Sequence, residues 1–368
     1  MYDTNHLGHH LRSASVGRDE TLYAEMLDGR TLSYGEMFSA AEKNAAALQK
    51  VGLSPGDCVA AQLEKSIESI QLYLGTILAG GIFLPLNTAY TPSELEYFLA
   101  DAKPFIFVCD PETAPTLEGL AVQAGVSKVL TLSSDGTGTL MEALPTHTEN
   151  FKEVARAKDD LAAFLYTSGT TGRSKGAMLT HDNLVSNAQA LQQCWHFDRH
   201  DVLIHALPIF HIHGLFVATN VTLCAGASML FMPRFNSETI LSLMSKATVL
   251  MGVPTFYVRL LESPNLSPKT VAPMRLFISG SAPLLAETHK QWSAVTGAEI
   301  LERYGMTETN MNTSNPYEGE RRAGTVGMPL PGVEVRITDA DSGQQLGQGE
   351  IGSVEIRGPN VFKGYWQM

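Results

Sequence analysis

The chain has 368 residues, 44% of them hydrophobic and only 17% charged, with a formal net charge of −12. That length and apolar content can bury more than one core, and they exclude a disordered or fibrous chain. The acidic balance argues against a nucleic-acid partner, because phosphate backbones demand basic patches; any anionic ligand must be held locally by amides, a few cations and a metal ion.

The first residues, MYDTNHLGHH, hold no apolar stretch, so no signal peptide is expected. No run of about eighteen apolar residues occurs, so no membrane span is expected. His6, His9 and His10 read as a solvated tail rather than a metal cluster. Cys58, Cys109, Cys194 and Cys224 form no C-x-x-C pair and read as reduced thiols of a cytoplasmic protein.

Residues 1–150 read as a first α/β subdomain. Ser33-Tyr-Gly-Glu36 is a capping-box pattern that opens an Ala-rich helix ending near Gly52. A second helix is expected from about Lys65 to Ala79, and Thr91-Pro-Ser-Glu94 opens a third with Pro in the first turn. The run 104–109 then reads as a short buried strand. Residues 151–330 form a second alternating unit, with strands expected at 161–166, 202–207, 248–253, 274–279 and 299–304. Each ends in small or polar residues, which is where an open α/β sheet places its ligands. From residue 331 the pattern becomes strand alternation broken by turns, read as the start of a small antiparallel or barrel-like β subdomain. The fold expected is therefore two stacked αβα subdomains with mostly parallel sheets, plus that small β unit.

The strongest local signal is Tyr166-Thr-Ser-Gly-Thr-Thr-Gly-Arg-Ser-Lys-Gly176, which follows an apolar strand. Its glycines allow close backbone approach and a nest of N–H groups. The hydroxyls of Thr167, Ser168, Thr170 and Thr171 add donors, and Arg173 or Lys175 adds charge, a composition suited to polyphosphate. The spacing is not that of a Walker A loop. His211 and His213 form H-x-H at a strand end, but two ligands without a third make a weak zinc site.

This loop resembles the phosphate signature YTSGTTGxxKG of the adenylate-forming superfamily of acyl-CoA synthetases, luciferases and peptide-synthetase adenylation domains. Further blocks follow in that family's order: Leu207-Pro-Ile-Phe-His-Ile-His-Gly214, Gly252-Val-Pro-Thr255, Ser279-Gly-Ser-Ala-Pro283, Tyr304-Gly-Met-Thr-Glu308 and Gly364-Tyr-Trp366. The resemblance implies ATP, magnesium and CoA as ligands. It implies nucleotide contacts from Thr167, Ser168, Gly169, Thr170, Thr171, Gly172 and Lys175, from Ser281, Ala282 and Pro283, and from Glu302, Arg303, Tyr304, Gly305, Met306, Thr307 and Glu308. Within that set Glu308 and Thr167 hold magnesium, Thr307 meets the α-phosphate, and Tyr304 stacks on adenine. Lys175 and His211 join Thr167 and Glu308 as catalytic residues, with His211 at the acyl pocket and thiol route; His213 reads as packing.

Acyl pockets in that family are mostly apolar, and two arginines break the pattern here. Arg303 precedes Tyr304 on a strand, where burial would demand an anionic partner, and Arg259 follows Pro254-Thr255 on a helix. These features resemble malonyl-CoA synthetases, which implies a small dicarboxylic acid as substrate, malonate or its relative methylmalonate. Arg259, Arg303 and the Ser281 hydroxyl are the expected clamp for the second carboxylate. The alternatives are another short or aryl acid, or a nucleotide-binding module without activity. Members of that family continue well beyond Gly364-Tyr-Trp366 into a mobile small domain, so this polypeptide alone is expected to turn over poorly.

Overall fold

A computed structural model describes residues 3–148, 151–167 and 173–368. Two large sheets carry the architecture. In chain order, β1 (Leu22–Met26) and β2 (Thr31–Ser33) come first, followed by β3 (Cys58–Gln62), β4 (Ile82–Pro85), β5 (Ile106–Cys109) and β6 (Lys128–Thr131). A hairpin of β7 (Leu161–Thr167) and β8 (Lys175–Thr180) flanks the phosphate loop. Then come β9 (Val202–His205), β10 (Ser228–Phe231), β11 (Val249–Gly252), β12 (Leu276–Ser279), β13 (Ile300–Met306), β14 (Asn310–Ser314) and β15 (Met328–Pro329). Finally β16 (Glu334–Thr338) and β17 (Ser353–Arg357) pair as a small antiparallel sheet, the small C-terminal β unit expected there.

The six-stranded sheet runs β6-β5-β3-β4-β7-β8 and is parallel except for the β7–β8 hairpin. The nine-stranded sheet runs β15-β14-β13-β12-β11-β9-β10-β1-β2, with a parallel centre and antiparallel edges. The central strands of both are buried on both faces, as parallel sheets covered by helices must be. The two sheets interleave along the chain. β1 and β2 join the second sheet, while β7 and β8 join the first, so residue 150 separates neither sheet from the other.

Local chemistry accounts for the helices. Ser33 and Glu36 close a capping box on Tyr34–Lys50, and Thr91 and Glu94 close another on Pro92–Ala102. The second helix begins two residues later than its apolar pattern suggests, at Ile67, because Ser66 caps it. Lys65 is thereby left outside the helix and turned inward.

Strand order sets where a ligand can bind. From β9 the chain crosses to β10 on one side, then returns past β9 to β11 and onward to β12 and β13 on the other. Adjacent strands β9 and β11 thus send their following loops in opposite directions, which opens a crevice at their carboxyl ends. The same reversal occurs between β3 and β5 in the first sheet.

Candidate active site

Four loops converge on the β9–β11 crevice. Leu207–Gly214 follows β9, Val253 follows β11, Ser281 follows β12, and Arg303, Gly305, Met306 and Thr307 come from the end of β13. Together with Met311 on β14 they enclose a cavity of about 250 Å³.

Strand alternation assigns the side chains of β13 to opposite faces. Glu302 points toward the helix Ala286–Thr296, where its Oε1 lies 3.4 Å from His289 Nδ1 and accepts from the Gly324 amide at 3.1 Å. That carboxylate is committed to the scaffold, so any nucleotide contact from Glu302 must come from its backbone. Arg303 faces the other way, into the cavity wall, and is 3% exposed. Its Nε, Nη1 and Nη2 have no hydrogen-bond partner among the described residues. Burial pushes the guanidinium pKa down to about 9, and the neighbouring Tyr257 opposes the shift.

Two histidines and a serine complete the cavity. His213 is buried; its Nδ1 lies 3.2 Å from Ser281 Oγ, and its Nε2 is unpartnered. Burial first, then repulsion from Arg303 and the neighbouring histidines, holds it neutral well below the usual range. Ser281 reaches this position from a left-handed backbone with φ 70°, uncommon for a residue with a Cβ and frequent at functional sites. His211 sits exposed at the rim, its imidazole lowered by partial burial. The two histidines of H-x-H therefore diverge.

The structure does not bring Arg259 to this cavity. Phe256, Tyr257 and Leu260 take the buried face of Pro254–Leu261, and Arg259 is exposed on the other. Its guanidinium lies 5.7 Å above the Phe235 ring and makes no ion pair among the described residues. Of the three residues expected to clamp the second carboxylate, Arg303 and Ser281 line the cavity and Arg259 does not. Arg275, by contrast, is bonded to Asp201 through Nε at 2.7 Å.

A support absent from the sequence reading lies behind the cavity. Lys65, buried between the two sheets, donates from Nζ to His205 Nδ1 at 2.9 Å and to the His205 carbonyl at 2.8 Å, below the face of Phe231. With Nδ1 accepting, Nε2 carries the proton and donates to the Gly214 carbonyl at 2.9 Å. Gly214 lies in the first turn of a π-helical stretch, His213–Thr219, a geometry often found at functional sites. Among the described residues no carboxylate pairs with Lys65, and burial drives its ammonium far below the usual range.

Of the phosphate loop, Ser168, Gly169, Thr170, Thr171 and Gly172 lie outside the described residues. Its flanks meet Glu308 at the end of β13. Glu308 Oε1 accepts from Thr167 Oγ1 at 3.3 Å and from the Tyr365 hydroxyl at 2.8 Å. Lys175 Nζ lies 5.0 Å from the Tyr365 ring centroid. Tyr365 is held there because Met178 donates to the Gly364 carbonyl and Trp366 to the Gly176 carbonyl, tying the chain end to β8. A carboxylate and a hydroxyl side by side are hard oxygen donors that fit magnesium. Tyr304 and Thr307 are half-buried beside them, while Ala282 and Pro283 are exposed at the rim.

A family model described as AMP-binding enzyme matches residues 12–366. The chain belongs to the AMP-binding enzyme family. Within it, a malonate–CoA ligase of Arabidopsis thaliana is 31% identical over 93% of this chain and 61% of its own length. A long-chain-fatty-acid–CoA ligase of Bacillus subtilis is 30% identical over 92% of this chain and 66% of its own. Among solved structures, ATP-bound MatB from Rhodopseudomonas palustris is 56% identical, with a TM-score of 0.96 over 99% of this chain and 72% of that one. The chain thus spans less than two thirds of the two curated relatives. Near-equal identity to ligases for a diacid and for a fatty acid means that the acid must be argued from the cavity. No helix among the described residues is long and apolar enough to cross a membrane.

Proposed function

We propose that this chain is the nucleotide- and acid-binding part of an AMP-forming malonate–CoA ligase. The observation that carries the reading is Arg303, a buried guanidinium at the cavity wall with none of its nitrogens bonded among the described residues. Desolvating an unpaired charge costs several kcal/mol, which an incoming carboxylate recovers and a fatty tail does not. The similarity to MatB and to the Arabidopsis malonate–CoA ligase supports the same acid.

In this reading one carboxylate oxygen of malonate attacks the α-phosphorus of ATP, and pyrophosphate leaves as the bond to the bridging oxygen breaks. The thiol sulfur of CoA then attacks the acyl carbonyl; AMP leaves and the thiol proton passes to solvent. Both steps bring negative groups together, so alignment and charge compensation set the barrier. Arg303 and Ser281 anchor the carboxylate that does not react. His213, held neutral, adds no second charge to the anchor, and His211 lines the rim where the thiol enters. Glu308 and Thr167 would hold magnesium, which would neutralise phosphate oxygens; Tyr365 keeps the Glu308 carboxylate aimed. Lys175, Thr307 and the phosphate loop hold the polyphosphate, with Tyr304 against the adenine. These contacts lie mainly in residues 151–330, the second subdomain of the sequence reading. The four free thiols fit a reducing compartment, the cytosol.

An acid panel in a pyrophosphate-release assay on the intact protein tests the reading. Malonate is expected to exceed propionate and octanoate, with methylmalonate close behind. Arg303→Met is expected to lower kcat/KM for malonate ~100-fold or more, the scale of truncating one partner of a buried charge pair, while leaving KM for ATP within about twofold. Undiminished malonate use in that variant contradicts the proposal.

A further inference from the structure

Gly280 lies where β12 meets the cavity, between Ser279 and the left-handed Ser281. Its own φ is not positive, so its backbone would accept an alanine. Its amide donates to the Gly252 carbonyl at 3.3 Å, an interaction that a side chain leaves untouched. The obstacle is spatial. A Cβ built on Gly280 would stand 2.4 Å from Arg303 Cζ and 2.6 Å from both Nε and Nη1. All three of the nearest atoms belong to the guanidinium, and none to the backbone or to any other side chain.

We infer that Gly280 is a specificity-determining residue: the absence of its side chain makes the space in which the Arg303 guanidinium stands. This inference rests on Arg303 being the anchor for the free carboxylate. It explains how a buried cation fits in an acyl cavity whose apolar walls are Leu207, Ile212, Val253 and Met311. The charge comes from β13, and the room for it comes from the neighbouring strand. A methyl group at position 280 must push the guanidinium about 1 Å to reach ordinary contact distance. The far end of an arginine can move that far without disturbing the sheet. A reaction anchor displaced by about 1 Å costs on the order of 100-fold in rate.

The test is a double-mutant cycle in the intact protein, read by pyrophosphate release with malonate and with propionate. Gly280→Ala is expected to lower kcat/KM for malonate on the order of 100-fold, with KM for ATP within about twofold and propionate use unchanged. Added to Arg303→Met, the same substitution is expected to cost malonate nothing further, because the group it displaces is gone. Should Gly280→Ala alone fail to fold while Gly280→Ala/Arg303→Met folds like Arg303→Met, the same collision is shown in stability. A loss of similar size in both backgrounds, failure of both to fold, or full malonate activity in Gly280→Ala overturns the inference. If Arg303→Met itself retains malonate activity, the anchor reading fails instead, and the two failures are separable.

Discussion

Two crevices are built on the same plan, and among their described lining residues the second alone presents an unpaired buried cation. Both open at the carboxyl ends of parallel strands where the strand order reverses, β3–β5 in the first sheet and β9–β11 in the second. The first is the larger, about 610 Å³ against about 250 Å³. Glu64, Asp110, Glu112 and Asp135 line it, and its polar groups are served locally: Asp110 accepts from the Glu112 amide, Asp135 from Thr137, and Gln62 donates to the Asn87 carbonyl. The second holds an unpaired guanidinium, an unpartnered imidazole nitrogen and a strained serine. Topology is common to both and size favours the acidic crevice; an unsatisfied buried charge singles out the candidate site.

Arg303 is where a substitution is expected to have the largest effect. Arg303→Met removes a charge that costs stability in the free protein, so it is expected to raise the unfolding free energy by ~1 kcal/mol or more while losing malonate activity. Denaturant melts beside the kinetics check this, and a destabilised variant would mean that the guanidinium is serving the fold.

Acidification gives the next largest effect. His181 is buried with its pKa lowered to about 3, chiefly by burial, and His205 and His213 are lowered in the same direction. Below pH 6.5 the unfolded chain takes up protons that the folded one refuses. Stability therefore falls with pH, by about 1.4 kcal/mol per pH unit for each such histidine, down to its folded pKa. Urea midpoints between pH 7 and 5 measure this, and His181→Gln should flatten the slope by one histidine's share. An unchanged slope would mean that His181 takes up its proton in the folded protein.

Lys65 probes what stands behind the good crevice. Lys65→Met is expected to cost about 1–3 kcal/mol of stability by leaving His205 Nδ1 unpaired. It should raise KM for malonate severalfold and leave KM for ATP unchanged, because the π-helical turn that carries His213 loses its anchor. Equal changes in both KM values would assign Lys65 to the fold alone. The smallest effect is reserved for the acidic crevice, where Glu64→Gln/Glu112→Gln should leave malonate kinetics within about twofold.

What could be read from the sequence followed the range of the interactions. Capping boxes at Ser33 and Thr91 are contacts across three residues and were legible. The strands of the second sheet showed as apolar runs, and the order of motif blocks placed their ends at one site. The burial of Arg303 was legible because it sits on a strand beside Tyr304, where a guanidinium demands an anionic partner. Arg259 was misplaced although the helical period held the answer: Phe256, Tyr257 and Leu260 fill the inner face and leave position 259 outside. The interleaving of β1 and β2 with the second sheet rests on pairing with β10, some two hundred positions away, which no local pattern encodes. Lys65 with His205 and Gly280 with Arg303 are likewise contacts between distant segments, visible only after folding.

The most direct measurement is a crystal structure of the intact protein with malonate and a non-hydrolysable ATP analogue. The account predicts the free carboxylate of malonate within hydrogen-bond distance, about 2.7–2.9 Å, of the Arg303 guanidinium, in the cavity beside Ser281. Malonate bound with that carboxylate turned to solvent, seated against Arg259, or lodged at the β3–β5 crevice would contradict it.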